Sequence, residues 1–530
     1  MKKQTIRKAT LYTFRLENAL WLLAISSLVG CAEGYETSGT ADLGVRNTQM
    51  ETPIQDSISF KVSTDGKTAT VSWPTVAGAG GHEVTFRNVD DPENPVVIDG
   101  FEKKIVDGSK FTVSVAEDSK YEMQIRTLGK KEFGNIDDEV THTYNFTTLV
   151  PSVATIPSGT DIYQFFQSNP LDSNKVEVAV ELEPGGEYTM TGPVDFCHHP
   201  LTFRGDKVRR PTVHMTDSAH FETYTTLKVK FINFDMTACT AGGFIAMSKN
   251  DLPDSIKTEN RGNYLRNNNP IKGIYMVEEP IYVANCWFKN LPHAMLYDNN
   301  VKVAYWYFTL SNCIVQMNND TKKNVGFIDL YNAGMGLKNF IIENSTIYNV
   351  PDNGSACFVR YNISSSNTDP QKVFGNISAE YCSHTWKFTH TTFAKCYYDD
   401  NTHSGWRFCN NVRVDASYFT LSIDHTIFYN CAQLYRMNDS KGARTFRFNF
   451  FWNDGQGDKD RNNAMKDSGQ APFASEYDPM FGGNNAAQLK ELDFSQPNGG
   501  VNFTPNEFEI VTNRGGDPRW LPAATGTEEE

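Results

Sequence analysis

The sequence lacks a surplus of positive charge. Its 63 Asp and Glu outnumber its 49 Lys and Arg, giving a formal net charge of −14. That balance excludes a general nucleic-acid binder, and any acidic polymer would have to be held by a local basic patch. The ten cysteines form no C-x-x-C pair and no zinc spacing. No phosphate loop and no Ser/His/Asp array is present. The apolar run from Ala19 to Leu28 is too short to span a bilayer as a stable helix.

What the sequence does have is a repeat. It reads Val283-Ala284-Asn285-Cys286-Trp287-Phe288, then Leu310-Ser311-Asn312-Cys313-Ile314-Val315, then Ile342-Glu343-Asn344-Ser345-Thr346-Ile347. It returns as Phe388-Thr389-His390-Thr391-Thr392-Phe393 and as Ile423-Asp424-His425-Thr426-Ile427-Phe428. Each copy is a short alternating strand, a polar corner and a second alternating strand. Copies lie roughly 25–45 residues apart, the spacing of stacked structural repeats. Asn tolerates the left-handed conformation of a sharp corner, and stacked Asn side chains can hydrogen-bond along a ladder. A further strand ends in Asn in Leu296-Tyr297-Asp298-Asn299, Asp329-Leu330-Tyr331-Asn332, Val359-Arg360-Tyr361-Asn362 and Tyr435-Arg436-Met437-Asn438. The pattern predicts a right-handed parallel β-helix; the alternative is a β-sandwich with long strands, which has no reason to repeat Asn at one corner. Cys286 and Cys313 fall at equivalent positions and read as stacked core thiols, with a disulfide as the alternative.

Residues 1–30 read as a targeting segment with a basic start. The ending Leu28-Val29-Gly30-Cys31 resembles the lipobox of bacterial lipoproteins, which implies lipidation at Cys31. The alternative is an ordinary secretory signal. Residues 31–55 are polar and read as a flexible tether. Over 56–149 the period becomes two, with strands at Ile58–Val62, Ala69–Trp73, His82–Phe86, Phe111–Val115, Tyr121–Arg126 and Tyr144–Thr148. Roughly seven short strands suggest a small β-sandwich. Trp73 and Tyr121 give it a resemblance to a fibronectin type III domain, which implies a spacer.

Residues 150–520 are assigned to the β-helix. Asp161 is placed to cap a short helix with Ile162, Phe165 and Phe166 on one face, covering the open end of the stack. The order of helix, alternating strand, Pro184-Gly185-Gly186 turn and Gly205-ended strand resembles the first coils of the pectin-lyase-like family. Residues 240–280 read as a long loop. Asp478-Pro479-Met480-Phe481 and Gly516-Asp517-Pro518-Arg519-Trp520 resemble closing segments of Bacteroidota lipoproteins of unknown function encoded with polysaccharide-utilisation systems. That resemblance implies an outer-membrane lipoprotein on the surface or periplasmic face, with glycan-import proteins as partners. Residues 521–530 read as a disordered tail.

Arg suits acidic glycans because its fork bonds both carboxylate oxygens. Arg360, Arg407 and Arg436 are candidates for a basic line, with Tyr297, Tyr331 and Tyr361 placed to stack on sugar rings. Otherwise these Arg residues are solvated or pair with Asp298 and Asp329. A lyase would need a base, for which Lys338, Lys387 and Arg360 are candidates, and a charge neutraliser such as Ca²⁺, for which Asp298 and Asp329 are candidate ligands. The Asp399-Asp400 pair sits in a turn-like stretch and gives poor support for a glycosidase. Two principal expectations follow. One is a non-catalytic lipoprotein that binds polysaccharide, pectin-like or otherwise acidic. The other is a polysaccharide lyase or glycosidase. A surface spacer is a third reading.

Overall fold

The computed structural model describes residues 44–172, 176–261, 271–318, 326–349, 357–361, 383–396, 409–410, 419–429, 431, 443–452, 473–474, 489–506 and 508–523. The chain divides into two compact units, residues 1–149 and 150–530.

In the first unit, strands Ser59–Val62, Thr68–Ser72 and Lys110–Ser114 form one antiparallel sheet. Ala79–Asn88, Val96–Val97, Lys104–Val106, Lys120–Gly129 and His142–Thr147 form the other. Alternating side chains from both sheets make one core that includes Val71, Trp73, Phe86, Phe111, Tyr121 and Ile125. The Tyr121 hydroxyl accepts a 2.7 Å hydrogen bond from the Ala116 N–H, tying the start of its strand to the preceding turn. Residues 44–55, polar enough to read as tether, lie against this unit. The Asn47 and Met50 N–H groups donate to the carbonyls of Phe133 and Ile136, and Met50 is buried.

His82 is buried in this core. Trp73 Nε1 donates to His82 Nε2 at 3.0 Å, so His82 is neutral with its proton on Nδ1, facing the Thr127 hydroxyl at 3.0 Å. Burial pushes its pKa from 6.5 down to about 4. The unfolded chain therefore takes up a proton between those values that the folded chain does not, and stability falls as pH falls through that window. Between about pH 7.5 and about pH 4.5 the native protein is expected to lose about 2–3 kcal/mol more than a His82→Gln variant, measured by denaturant unfolding of this unit. Equal slopes for the two proteins would contradict the buried neutral imidazole.

The second unit is a parallel β-helix of three sheets. The first sheet contains Ser152–Ile156, Val178–Leu182, Leu201–Arg204, Leu227–Lys230, Tyr275–Ala284, Val303–Ser311, Gly336–Glu343, His384–Thr389, Phe419–Asp424 and Ala443–Arg447, each paired in parallel with the next. The second contains Glu187–Met190, Thr212–Asp217, Asn233–Cys239, Trp287–Leu291, Ile314–Met317, Thr346–Tyr348, Thr392–Ala394, Ile427–Tyr429, Phe450–Trp452 and Phe473–Ala474. The third contains Val194–Asp195, Phe221–Thr223, Gly243–Met247, Ala294–Tyr297, Gly326–Leu330, Cys357–Tyr361 and Cys409–Asn410. One strand of each makes a coil.

The corner expected in the five repeat copies is there. Asn285, Asn312, Asn344, His390 and His425 all have φ between +47° and +56°, and Phe231 and Phe448 take the equivalent place in two other coils. The Asn312 amide bonds to the Asn285 amide, as a ladder requires. Cys286 and Cys313 are buried free thiols. Phenyl rings stack inside from coil to coil, with Phe234 on Phe288 at 5.2 Å, Phe327 on Phe358 at 4.8 Å and Phe393 on Phe428 at 5.1 Å. Each such burial contributes about 1.5–3 kcal/mol. The abundant Phe thus serves the interior.

The short helix Ile162–Ser168 is capped by Asp161, whose carboxylate accepts the Gln164 N–H at 3.2 Å. Its Phe165 and Phe166 pack on the helix core. Two expectations are corrected. Residues 240–280 are not all loop, since they include the third-sheet strand Gly243–Met247, and a first-sheet strand starts at Tyr275. The alignment of the third-sheet copies on their Asn residues is also off. The register aligns Tyr297 with Asp329 and Asp329 with Arg360, one residue off the Asn-based alignment. A slip of one residue exchanges inner and outer faces, and burial of Leu296, Ile328 and Val359 fixes the observed register.

Candidate ligand-binding faces

The outer face of the second sheet is covered from Trp287–Leu291 to Phe450–Trp452, while Glu187, Thr189 and His214 on its first strands are exposed. Residues 489–523 run over the covered part and bury Leu492, Val501, Phe503, Ile510 and Trp520 against Ile314, Tyr348, Ile427, Tyr429 and Phe450. Gly515 and Gly516 permit the close approach, since a Cβ on Gly516 would meet Ile427 at 2.6 Å and Thr392 at 2.8 Å. Asp517 pins the segment. Its carboxylate accepts from the Thr346 hydroxyl at 2.8 Å and from Arg519 at 2.7 Å, and burial pushes its pKa up to about 6. Arg519 reaches on to the Asn312 side-chain oxygen at 2.6 Å, joining the segment to the corner ladder.

The third sheet presents one outward row in register: Asp195, Glu222, Ala246, Tyr297, Asp329 and Arg360. Three residues singled out from sequence, Tyr297, Asp329 and Arg360, therefore stand side by side. They are turned toward the protein more than toward solvent. Asp195 accepts from Ser248 at 2.8 Å and Asn250 at 2.7 Å, and Glu222 meets His220 at 2.8 Å and Asn299 at 2.9 Å. The Tyr297 ring lies over Gly242 and Gly243, and burial, with Glu222 nearby, holds its phenol pKa well above the ordinary value. The buried Arg360 pairs with Asp329 at 3.1 Å and lies 4.2 Å from the centre of the Tyr331 ring, which is 43% exposed. Burial keeps the Asp329 carboxyl above its ordinary value even beside that guanidinium.

Asp298 and Asp329, the candidate calcium ligands, are both engaged by protein donors. Ca²⁺ requires six to eight oxygen ligands. Asp298 is buried and accepts backbone N–H groups from Asn300, Ala333 and Gly334 at 2.8–2.9 Å. Asp329 accepts from Gly326, Tyr331 and Arg360. Among the described residues, no group of three or more His, Cys, Asp and Glu could hold a metal ion. The candidate bases do not converge. Arg360 is on the third sheet, whereas Lys338 and Lys387 are on the first, with Lys338 buried and its ammonium 4.1 Å from the Trp306 ring centre. The Tyr361 side chain, Arg407, Arg436, Asp399, Asp400 and Cys31 lie outside the described residues.

Among the described residues, no segment covers the later strands of the first sheet, several of whose outer positions are exposed. From the fifth strand onward three outward columns run in register. The first holds Tyr307, Asn339, Thr385 and Thr420. The second holds Tyr282, Thr309, Ile341, Lys387, Ser422 and Thr445. The third holds Ser311, Glu343, Thr389, Asp424 and Arg447. Thr385, Lys387, Thr420 and Thr445 are exposed, and Tyr307 is 39% exposed. The grid is roughly 4.8 Å between coils and roughly 6.6 Å between columns. Sequence reasoning found Lys387 but missed this face, although alternation in each copy marks its outward positions.

If the Asp329–Arg360 pair is structural, Arg360→Ala should cost about 3–5 kcal/mol of stability because it leaves a buried carboxylate uncompensated. Removing both partners should cost less than the sum of the single changes. A double-mutant cycle by denaturant unfolding tests this, and additive losses would sink the pairing.

Two families, each described as a domain of unknown function, match the chain. One (DUF4992) covers residues 7–189 and the other (DUF4957) residues 186–350. No curated protein matches. Among solved structures, pectate lyase PelI from Erwinia chrysanthemi in complex with tetragalacturonic acid is similar at 10% identity, over 74% of this chain and 79% of that one, with a TM-score of 0.12. A second structure of the same lyase gives 9% identity, 75% and 85% coverage and a TM-score of 0.14. A family 28 exopolygalacturonase from Yersinia enterocolitica gives 10%, 77% and 97%, and 0.13.

Proposed function

We propose that this protein binds a glycan without cleaving it, with the sugar chain laid across the open first sheet of the β-helix. The observation that carries the reading is the in-register array of hydroxyl, amide, ammonium and tyrosine side chains from Tyr282 to Thr445. A polyhydroxylated polymer can exchange its water contacts for hydrogen bonds to such an array, and Tyr307 offers an apolar ring face. The separation of Lys387 from Arg360 on different sheets favours binding over lyase chemistry, which needs a base and a charge neutraliser at one sugar.

Affinity gels and calorimetry with homogalacturonan, rhamnogalacturonan, alginate and neutral glycans test this. At least one glycan is expected to bind with no unsaturated product and no new reducing ends. Tyr307→Ala and Lys387→Ala should each weaken binding by up to about tenfold. Product formation, or binding indifferent to both changes, would overturn the reading.

In the same reading the N-terminal unit is a fibronectin type III-like spacer, supported by its strand order and the Tyr121 hydroxyl bond. Cys31 would carry a lipid anchor that holds the protein at the outer membrane, beside glycan-import proteins. Cys31→Ala should then move the full chain from the membrane fraction to the soluble fraction; retention in the membrane would count against the anchor.

A further inference from the structure

The corner between the first and second sheets changes chemistry along its length. Asn285, Asn312 and Asn344 serve three successive coils, and His390 and His425 serve the next two at nearly the same φ. Since Asn satisfies the left-handed backbone elsewhere in the same column, the turn itself does not call for imidazole. The two rings are stacked, 4.6 Å apart and 2° from parallel.

Charged groups surround the pair. Lys387 stands in the second outward column of the open sheet, three residues before His390. Arg514 approaches from the C-terminal segment, whose Gly516 N–H donates to the His425 carbonyl at 2.7 Å. Asp424 precedes His425, with register neighbours Thr389 and Arg447, and Glu343 is the register neighbour of Thr389. The Thr389 hydroxyl meets His390 Nδ1 at 3.0 Å. His425 Nδ1 is 3.9 Å from the nearer Asp424 oxygen, beyond hydrogen-bond reach, and that nitrogen has no hydrogen-bond partner among the described residues. Lys387, Arg514 and two imidazoles thus border the edge of the open sheet, with the carboxylates of Asp424 and Glu343 in the adjoining column.

We propose that this corner binds an oxyanion group (carboxylate, sulfate or phosphate ester) carried by the glycan on the first sheet, with Lys387, His390 and His425 as its contacts. The proposal rests on the glycan-binding reading. The site is acid-gated. Burial holds the His390 pKa below 6.5, His425, Arg514 and Lys387 add to that depression, and Asp424 opposes it. The imidazolium therefore forms only in acid, and a bound anion favours it, so binding takes up a proton.

The test is calorimetry on the full chain at about pH 5.5 and about pH 8, in buffers of different ionisation enthalpy. The probes are inorganic sulfate and neutral, carboxylated and sulfated oligosaccharides. Anionic oligosaccharides should bind about tenfold tighter at the lower pH, with proton uptake, and neutral ones should not change. The double variant His390→Asn/His425→Asn restores the residue used in the neighbouring coils, so it should fold, keep neutral-glycan binding and lose the acid gain. An acid gain that survives in the double variant, or that is absent from the native protein, would overturn the site. Acid-dependent sulfate binding with no oligosaccharide bound would leave the anion chemistry standing while removing its glycan source and the glycan-binding reading. Glycan binding without pH dependence would do the reverse.

Discussion

From the strand Leu227–Lys230 onward, each described coil of the β-helix leaves the first sheet and enters the second within two residues. A residue with positive φ makes the turn. The following residue then points inward, where its polar atom would be orphaned if it could not reach a backbone carbonyl. Cys313, Ser345, Thr391 and Thr426 each donate to the carbonyl two residues back, at 2.7–3.2 Å. In these four coils a small polar side chain meets that demand at the second position. Because the corner recurs in register, it fixes which side chains of each strand face the phenyl stacks and which face outward. The open columns of the first sheet follow from that choice.

The same demand made this corner readable in the sequence. Asn or His followed by Cys, Ser or Thr between alternating strands recurs in five copies that stand in plain order, while the corners at Phe231-Ile232 and Phe448-Asn449 use other residues and escaped the pattern. The exits from the third sheet obey no comparable rule. Asn299 has positive φ, but its side chain reaches across to Glu222 and the Met247 carbonyl. Aligning the Asn residues there slipped the copies by one. The alternative in which the candidate Arg residues pair with Asp298 and Asp329 is the one the Asp329–Arg360 contact bears out. An arginine that looked like a candidate base is paired with that carboxylate.

Which face is open was less legible still. The cover of the second sheet comes from residues 489–523, far along the chain: Trp520 Nε1 donates to the Thr346 hydroxyl across 174 residues. Sequence alone marks Gly516-Asp517-Pro518-Arg519-Trp520 as a recognisable ending without saying what it lies on. Its role needs the buried Asp517, the two glycines and the exposed apolar row they meet to be brought together. Periodicity within a strand reports that one face is buried, but not whether the other face is later covered.

Charge then separates the two remaining faces. The third-sheet row sets Asp195, Glu222 and Asp329 against a single guanidinium, Arg360, already paired. An acidic polymer drawn along it would meet carboxylates at several steps and would gain little from that arginine. The first sheet is more even, with Lys387 and Arg447 beside Glu343 and Asp424. Its hydroxyl-bearing positions carry no net charge to repel either kind of glycan. For a chain of net charge −14, discrimination between neutral and acidic ligands must come from the few places where cations gather. On the open face that place is the edge where Lys387 and Arg514 meet the imidazole pair. In the proposed binding mode, shape selection by the sheet and charge selection at its edge would be separable, because they would rest on different side chains of the same strands.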